Sequence, residues 1–353
     1  MNNVKKIIIA LFMILFSLLF SSCNLKTNDL APDSHDINKA VSLPQNTIPV
    51  GFDKYEKRVL LMIENKNQKI ELGFYDLKSG KIESLVKPID SNKNIHNAVT
   101  DGEYVAWVEA SDNLVRNDWS IYVKDLKSGF VTKIDYGKLD NKISSKIPFS
   151  QEPKLSLNAS KLVWSTYELK NDKILCSLIL YDLKKNRKDT IRSIDGLGKS
   201  YIGHPKVFGD FIVWHEGKIE GQTEVGKVYL YNITNGQIVK ISENGITPNI
   251  YGENMVWVSD KTSIMLYNIK KKNIVEISKG GRIEERWLPS LNERYITWYD
   301  NMGKVEVYDI KTNTMQILSV KTNNASEILG NIITWIKWED DKTTPQFLIL
   351  PTQ

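Results

Sequence analysis

Apolar and polar residues alternate along this chain in short runs, and one run recurs. A strand closing on tryptophan appears as Tyr104-Val105-Ala106-Trp107 and returns at Trp164, Trp214, Trp257, Trp298 and Trp335. Alternation with period two, bounded by Gly, Asn and Asp, predicts half-buried strands. Pro205, Pro248 and Pro289 each stand nine residues before one of these tryptophans, and Pro153 stands eleven before Trp164. A second signature is an apolar strand running into a turn. It reads Tyr75-Asp76-Leu77-Lys78-Ser79-Gly80 and Lys124-Asp125-Leu126-Lys127-Ser128-Gly129, then recurs from Tyr181, Tyr231, Tyr267 and Tyr308. No helical periodicity of any length appears beyond residue 23.

Each unit has its own physical logic. Proline suits the opening of an inner strand, where a missing N–H is tolerated. The tryptophan ring is large enough to fill the space between neighbouring sheets. The Asp-x-x-Ser-Gly element predicts a tight hairpin, its Asp or Asn bonding its own backbone and its Gly or Asn accepting positive φ. Successive tryptophans lie 37 to 57 residues apart. Four short antiparallel strands at that period predict an all-β fold, a single β-propeller. One blade centres on Tyr75-Asp76 and five complete units follow. The last unit stops after its third strand, Gln346-Phe347-Leu348-Ile349-Leu350. Residues 37–43 have the character of a blade-ending strand and are expected to supply the missing fourth. The count is then seven four-stranded blades, with six as the alternative.

The Tyr-Asp-Leu-x-x-Gly turns and their spacing resemble the TolB-type propeller repeats of exported bacterial proteins, over roughly residues 37–350. The Ser-Pro-Asp-Gly turn common in that family is absent, and Val-x-Trp strands take its place. The resemblance implies a rigid platform for protein or ligand recognition. Fold alone does not fix function.

The N-terminus reads as an address. Lys5 and Lys6 precede an apolar or small run of 14 residues, 7–20, which is too short to span a bilayer. Phe20-Ser21-Ser22-Cys23 then resembles the lipobox of exported lipoproteins, which implies that Cys23 is diacylated and becomes the mature N-terminus. Phe20 stands where that motif usually has Leu. An ordinary cleaved signal with an incidental cysteine is the other reading. Residues 1–22 are thus expected to be the signal peptide, 23–36 the lipidated cysteine and a polar tether, and 37–353 the propeller. The expected location is the extracytoplasmic face of a bacterial cell membrane, reached through the lipid.

Composition narrows the classes. Of 353 residues, 41% are hydrophobic and 25% charged, enough for a large core. Removing Lys5 and Lys6 lowers the net charge from +5 to +3, which argues against a nucleic-acid partner. Two cysteines, Cys23 and Cys176, exclude a disulfide framework and a cysteine-based zinc site. Cys176 sits in an apolar strand and reads as an inert buried thiol. No nucleophile elbow, phosphate loop or dinucleotide fingerprint occurs.

Candidate chemistry lies on the face carrying the longest connections, placed at 110–119, 135–152, 167–173, 193–202 and 216–226. These are either functional or tolerated surface decoration. His96, Glu152 and His204 occupy the register just before the inner strands of consecutive units, followed by Thr247 and Leu288. That register faces the mouth of the channel. Two imidazoles and a carboxylate suit a divalent metal or an acidic ligand, or are three solvated rim residues, so metal occupancy stays open. His215 adjoins a long connection. Glu109, Glu216 and Asp300, each two after a tryptophan, either form a carboxylate set or solvate hairpin starts. Trp119, Tyr136, Tyr201 and Trp287, with Arg282 and Arg286 nearby, form a contact patch or pack under their own loops. The expected role is a monomeric, non-catalytic recognition platform for an envelope protein or peptide, with no cofactor. The alternative is a glycan-active hydrolase or lyase using channel carboxylates and histidines.

Overall fold

The computed structural model describes residues 41–350, except 138, 148–149, 197–199, 221–222, 281–284, 323–325 and 340–341. Cys23, the tether, residues 37–40 of the expected closing strand and Arg282 lie outside this set. Among the described residues the only helix is a single turn, α1 (Asn141–Ser144), capped by Asp140, whose side chain accepts from the Ile143 N–H.

Seven four-stranded antiparallel sheets form the blades of one propeller. Blades 1 to 6 span 47–86, 94–136, 156–195, 200–242, 246–279 and 286–321, each running from inner to outer strand in chain order. Blade 7 takes Glu327–Leu329, Ile332–Glu339 and Lys342–Ile349 from the C-terminus and its outer strand, Val41–Ser42, from the other end of the chain. Val41 pairs with Phe347 and Ser42 with Gln346, and the Leu43 N–H donates to Pro345 O at 2.9 Å. The six-blade alternative is excluded.

Tryptophan explains the packing. Trp107, Trp164, Trp214, Trp257, Trp298 and Trp335 are all fully buried in the second strands of blades 2 to 7. Each joins a cluster spanning two blades: Trp214 with Cys176, Leu178 and Leu180 of blade 3, and Trp257 with Val213, Val228 and Leu230 of blade 4. In blade 1 the equivalent position is Leu61, which packs with Leu43, Ile332 and Phe347 to seal the seam with blade 7. Every interface between blades is therefore filled by one large apolar side chain.

The turns after the third strands behave as their sequences imply. Asp76 Oδ1 accepts from the N–H groups of Lys78 (3.1 Å) and Ser79 (2.6 Å), while Gly80 N donates to Asp76 O (2.9 Å). The closing residue is left-handed in all six complete blades: Gly80, Gly129, Asn186, Gly236, Lys272 and Asn313. Glycine and asparagine take that conformation at little cost.

Neighbouring inner strands also hold one another. Asn97 Oδ1 accepts from Leu155 N (2.8 Å), Ser156 Oγ from Val207 N (3.1 Å) and Ser290 Oγ from Ile328 N (3.0 Å). Asn249 Nδ2 donates to Pro289 O (3.2 Å).

Candidate functional site

The face expected to carry long loops is built in two ways. Connections 111–119 and 137–155 are true loops, stitched together by Gln151 N to Val115 O (2.8 Å), Gly137 N to Trp119 O (2.8 Å) and Asn117 Nδ2 to Asn141 Oδ1 (2.9 Å). Segments 167–173, 216–220 and 223–226 are not loops. Lys161–Lys170 with Lys173–Asp182, and Phe211–Glu220 with Thr223–Asn232, are ten-residue hairpin arms that continue the ladder. Strand pairing satisfies backbone groups that a loop would leave to solvent. Segment 193–202 is also mostly strand, ending at Asp195 and resuming at Ser200.

The channel-mouth register has a structural basis. In blades 2, 4, 5 and 6 the ladder slips between Ile95 and Asn97, Gly203 and Lys206, Ile246 and Asn249, and Trp287 and Ser290. His96, His204, Thr247 and Leu288 all sit in these bulges, which turn the inner strand at the channel. Thr247 (φ 51) and Leu288 (φ 43) are left-handed although each precedes a proline, a strained combination for a β-branched and a bulky residue.

Glu152 and His96 are brought into one cluster with two residues the motif reading omitted, Arg116 and Lys154. Arg116 Nη1 donates to Glu152 Oε1 at 2.7 Å, Lys154 Nζ donates to the same oxygen at 3.2 Å, and the Ser150 hydroxyl donates to Oε2. The Glu152 side chain is only 2% exposed. Burial alone would push its carboxyl up, but Ser150, Lys154 and Arg116 outweigh burial and hold it below the usual carboxylate range. His96 Nε2 lies 3.1 Å from Ala110 O and 3.3 Å from Asp112 Oδ1. Burial, then the Arg116 charge, holds the His96 imidazole below its ordinary value. His204 lies in the inner strand of blade 4, and its side chain is outside the described set. Among the described residues no three His, Cys, Asp or Glu side chains converge to hold a metal ion.

A second constellation lies in blade 4. His215 is fully buried, its Nε2 3.2 Å from Glu224 Oε1 and 3.4 Å from the Tyr201 hydroxyl, which itself donates to Glu224. Burial, then the hydrogen bond to Glu224, raises the Tyr201 phenol well above its usual range. Gly217 leaves room for this ring: a Cβ there would stand 2.5 Å from Tyr201 Cζ. Glu216 is gripped by Arg192 of blade 3, Nε to Oε1 at 2.7 Å and Nη2 to Oε2 at 3.3 Å. Both lie in a cleft of about 720 Å³ that Lys218, Lys227 and Glu243 also line.

The other expected site residues scatter. Trp119 is 4% exposed and belongs to the core between blades 2 and 3, so it is no surface anchor. Tyr136 is exposed, with Lys133 Nζ 5.2 Å from its ring centre. Arg286 is buried, donating to Ser278 Oγ (2.8 Å) and lying 3.4 Å from Glu306, and Trp287 pairs across the sheet with Tyr299. Glu109 and Asp300 are structural. Glu109 accepts from Ile89 N, Asp90 N and Trp107 Nε1, and Asp300 from Met302 N and Lys304 N.

The centre of the ring holds a cavity of about 210 Å³, to which Asn97, Lys154, Lys206, Asn249, Ser290 and Glu327 each contribute from blades 2 to 7 in turn. A signal for four of these was present in the repeats. Lys154, Lys206, Asn249 and Ser290 each directly follow the inner-strand proline.

No protein-family model matches the sequence, and no curated protein does. Solved structures do. An oligogalacturonate lyase in complex with manganese aligns with a TM-score of 0.61 and 10% identity over 89% of this chain and 91% of that one. A Vibrio parahaemolyticus oligogalacturonate lyase aligns at 0.57 and 14% over 89% and 92%. A prolyl endopeptidase aligns at 0.61 and 10%, over 89% of this chain but 50% of the other. At such identities these likenesses show the fold, a seven-bladed propeller.

Proposed function

We propose that this chain is a membrane-tethered, extracytoplasmic recognition platform of TolB-like type, docking an envelope protein or peptide on the face bearing the two stitched loops and the two long hairpins. The observation that carries this reading is the state of the channel-mouth charges. Glu152 is held ionised between Arg116, Lys154 and Ser150, and His96 rests against a backbone carbonyl. A general acid or base needs a proton affinity near the working pH and access to substrate. These groups instead brace a rim. The same face carries Leu114, 94% exposed, at the tip of a braced loop, and Leu169 near a hairpin tip, 49% exposed. Apolar side chains presented on a rigid support suit docking.

The test places a photo-crosslinking amino acid at Leu114, Leu169 and, on the opposite face, Phe130 in cells producing the full chain. The expected result is a discrete crosslinked partner from the first two positions and none from Phe130. Equal yields from all three, or none, would overturn the platform reading. In the same cells, Cys23→Ala is expected to move the protein from the membrane fraction to a soluble or unprocessed pool, and a mature N-terminus elsewhere by mass spectrometry would refute lipidation.

One observation favours an enzyme instead. Tyr201, His215 and Glu224 converge beside a cleft lined by Arg192, Lys218 and Lys227, a setting that suits an acidic sugar, and two oligogalacturonate lyases share the fold. Turnover of oligogalacturonate that disappears in Glu224→Gln would establish this reading in place of the platform.

A further inference from the structure

The central cavity holds two charges that never meet. Lys206 enters from blade 4 and Glu327 from blade 7, three blades apart one way round the seven-blade ring and four the other. Both side chains are half-buried, and neither forms an ion pair with the other or with any other described residue. Opposite charges lining one small cavity gain from closing on each other unless the walls hold them apart. Here the walls do: both residues belong to inner strands pinned to their neighbours, Val207 N by Ser156 Oγ and Ile328 N by Ser290 Oγ.

The remaining lining sharpens this polarity. Lys154 adds a second ammonium beside Lys206, with donors to spare after its single bond to Glu152. Asn97 uses Oδ1 on Leu155 N, which leaves its amide donors for the cavity. Ser290 accepts from Ile328 N and keeps its hydroxyl proton to donate. Thr247, 8% exposed at the rim, has an Oγ1 with no hydrogen-bond partner among the described residues. Prolines 205, 248 and 289 give rigid apolar walls between these groups. One arc of the ring is thus cationic and donor-rich, and the opposite arc carries Glu327, the only carboxylate among the described residues that line the cavity. The strained backbone at Thr247 and Leu288 lies on the same rim, and strain of this kind collects at binding sites.

We propose that the channel binds a small zwitterion, a free amino acid or short peptide, with its carboxylate on Lys206 and Lys154 and its ammonium on Glu327. The volume of about 210 Å³ suits a ligand of that size. The ligand would replace lost hydration at both poles at once, which a simple anion or cation cannot do. This goes beyond the platform reading: the cavity is central, and its occupancy is read independently of anything docked on loop tips.

The test is calorimetric titration of the full chain in detergent with L-alanyl-L-alanine, N-acetyl-L-alanine and L-alaninamide. The dipeptide is expected to bind with a millimolar or tighter constant, and the two one-charge analogues at least about tenfold more weakly. Lys206→Met and Glu327→Gln should each weaken the dipeptide by a similar factor, while Lys206→Arg retains most of it and all three keep the wild-type melting temperature. No heat with the dipeptide, equal affinity for N-acetyl-L-alanine, or undiminished binding in Lys206→Met would overturn the proposal. None of these outcomes touches the crosslinking result, so the two readings fail separately.

Discussion

Removing residues 24–45 should open the propeller, whereas removing 24–34 should not. The longer deletion takes away Val41–Ser42, its two paired positions on Phe347 and Gln346, the Leu43 to Pro345 bond and the Leu43 side chain, which is 3% exposed. Burying a leucine is worth about 1.5–3 kcal/mol. Each ladder bond adds about 1 kcal/mol net. The loss comes to about 5 kcal/mol, before counting the exposure of Phe347 and an unpaired edge. For a domain of this size that corresponds to a fall in melting temperature of about 8 °C. Differential scanning calorimetry of the two truncations, with light scattering to follow association of the exposed edge, measures both effects. Equal melting temperatures would refute the reasoning, because they would mean that the blade 7 seam holds without its outer strand.

Other perturbations have outcomes as definite. Trp214→Ala should destabilise by about 3–5 kcal/mol in denaturant titrations, since the ring is fully buried between blades 3 and 4; a loss below 1 kcal/mol would mean that the interface repacks. Glu152 has a carboxyl held below its ordinary value when folded, so its contribution is complete above the unfolded value near 4.5 and is lost as pH falls through the folded one. The gap in melting temperature between wild type and Glu152→Gln should therefore be widest near pH 7 and narrow progressively as pH falls below about 4.5, and a constant gap would contradict the pairing. Cys176 is buried and its thiol is pushed up by burial to about 12. Native protein should resist iodoacetamide at pH 8, with reaction appearing in mass spectra only on unfolding.

The blade count was readable because tryptophan marks six of the seven interfaces once each, and the closing strand because the last repeat ends one strand short. Register carried further than contact. The position of His96, His204, Thr247 and Leu288 at the channel follows from repeat spacing, and each falls in a bulge. Partners were harder to read. Arg116 meets Glu152 at a sequence separation of 36, and no local pattern links them. The hairpins of blades 3 and 4 read as loops because polar residues such as Glu168, Lys170 and Lys218 interrupt the apolar alternation, although their backbones stay paired to the tip. Sequence leaves Trp119 and Arg286 between a contact patch and packing beneath a loop, because it shows proximity to a loop and not depth. Trp119 fills a core beneath its loop, and Arg286 finds Ser278 and Glu306.

The side-chain bonds that pass from one inner strand to the next bear on how such a ring can be rebuilt. Asn97 serves blade 3, Ser156 serves blade 4, Asn249 serves blade 6 and Ser290 serves blade 7. The sheet is therefore not a self-sufficient module. Each of these bonds joins two different inner strands, so any cut between them severs it. Taking out residues 155–195 would leave Asn97 Oδ1 and the Val207 N–H behind and carry away the Leu155 N–H and Ser156 Oγ. Asn249 has the opposite polarity, donating to the carbonyl of Pro289. A blade can therefore be exchanged only for one whose inner strand offers the same donors and acceptors at these positions.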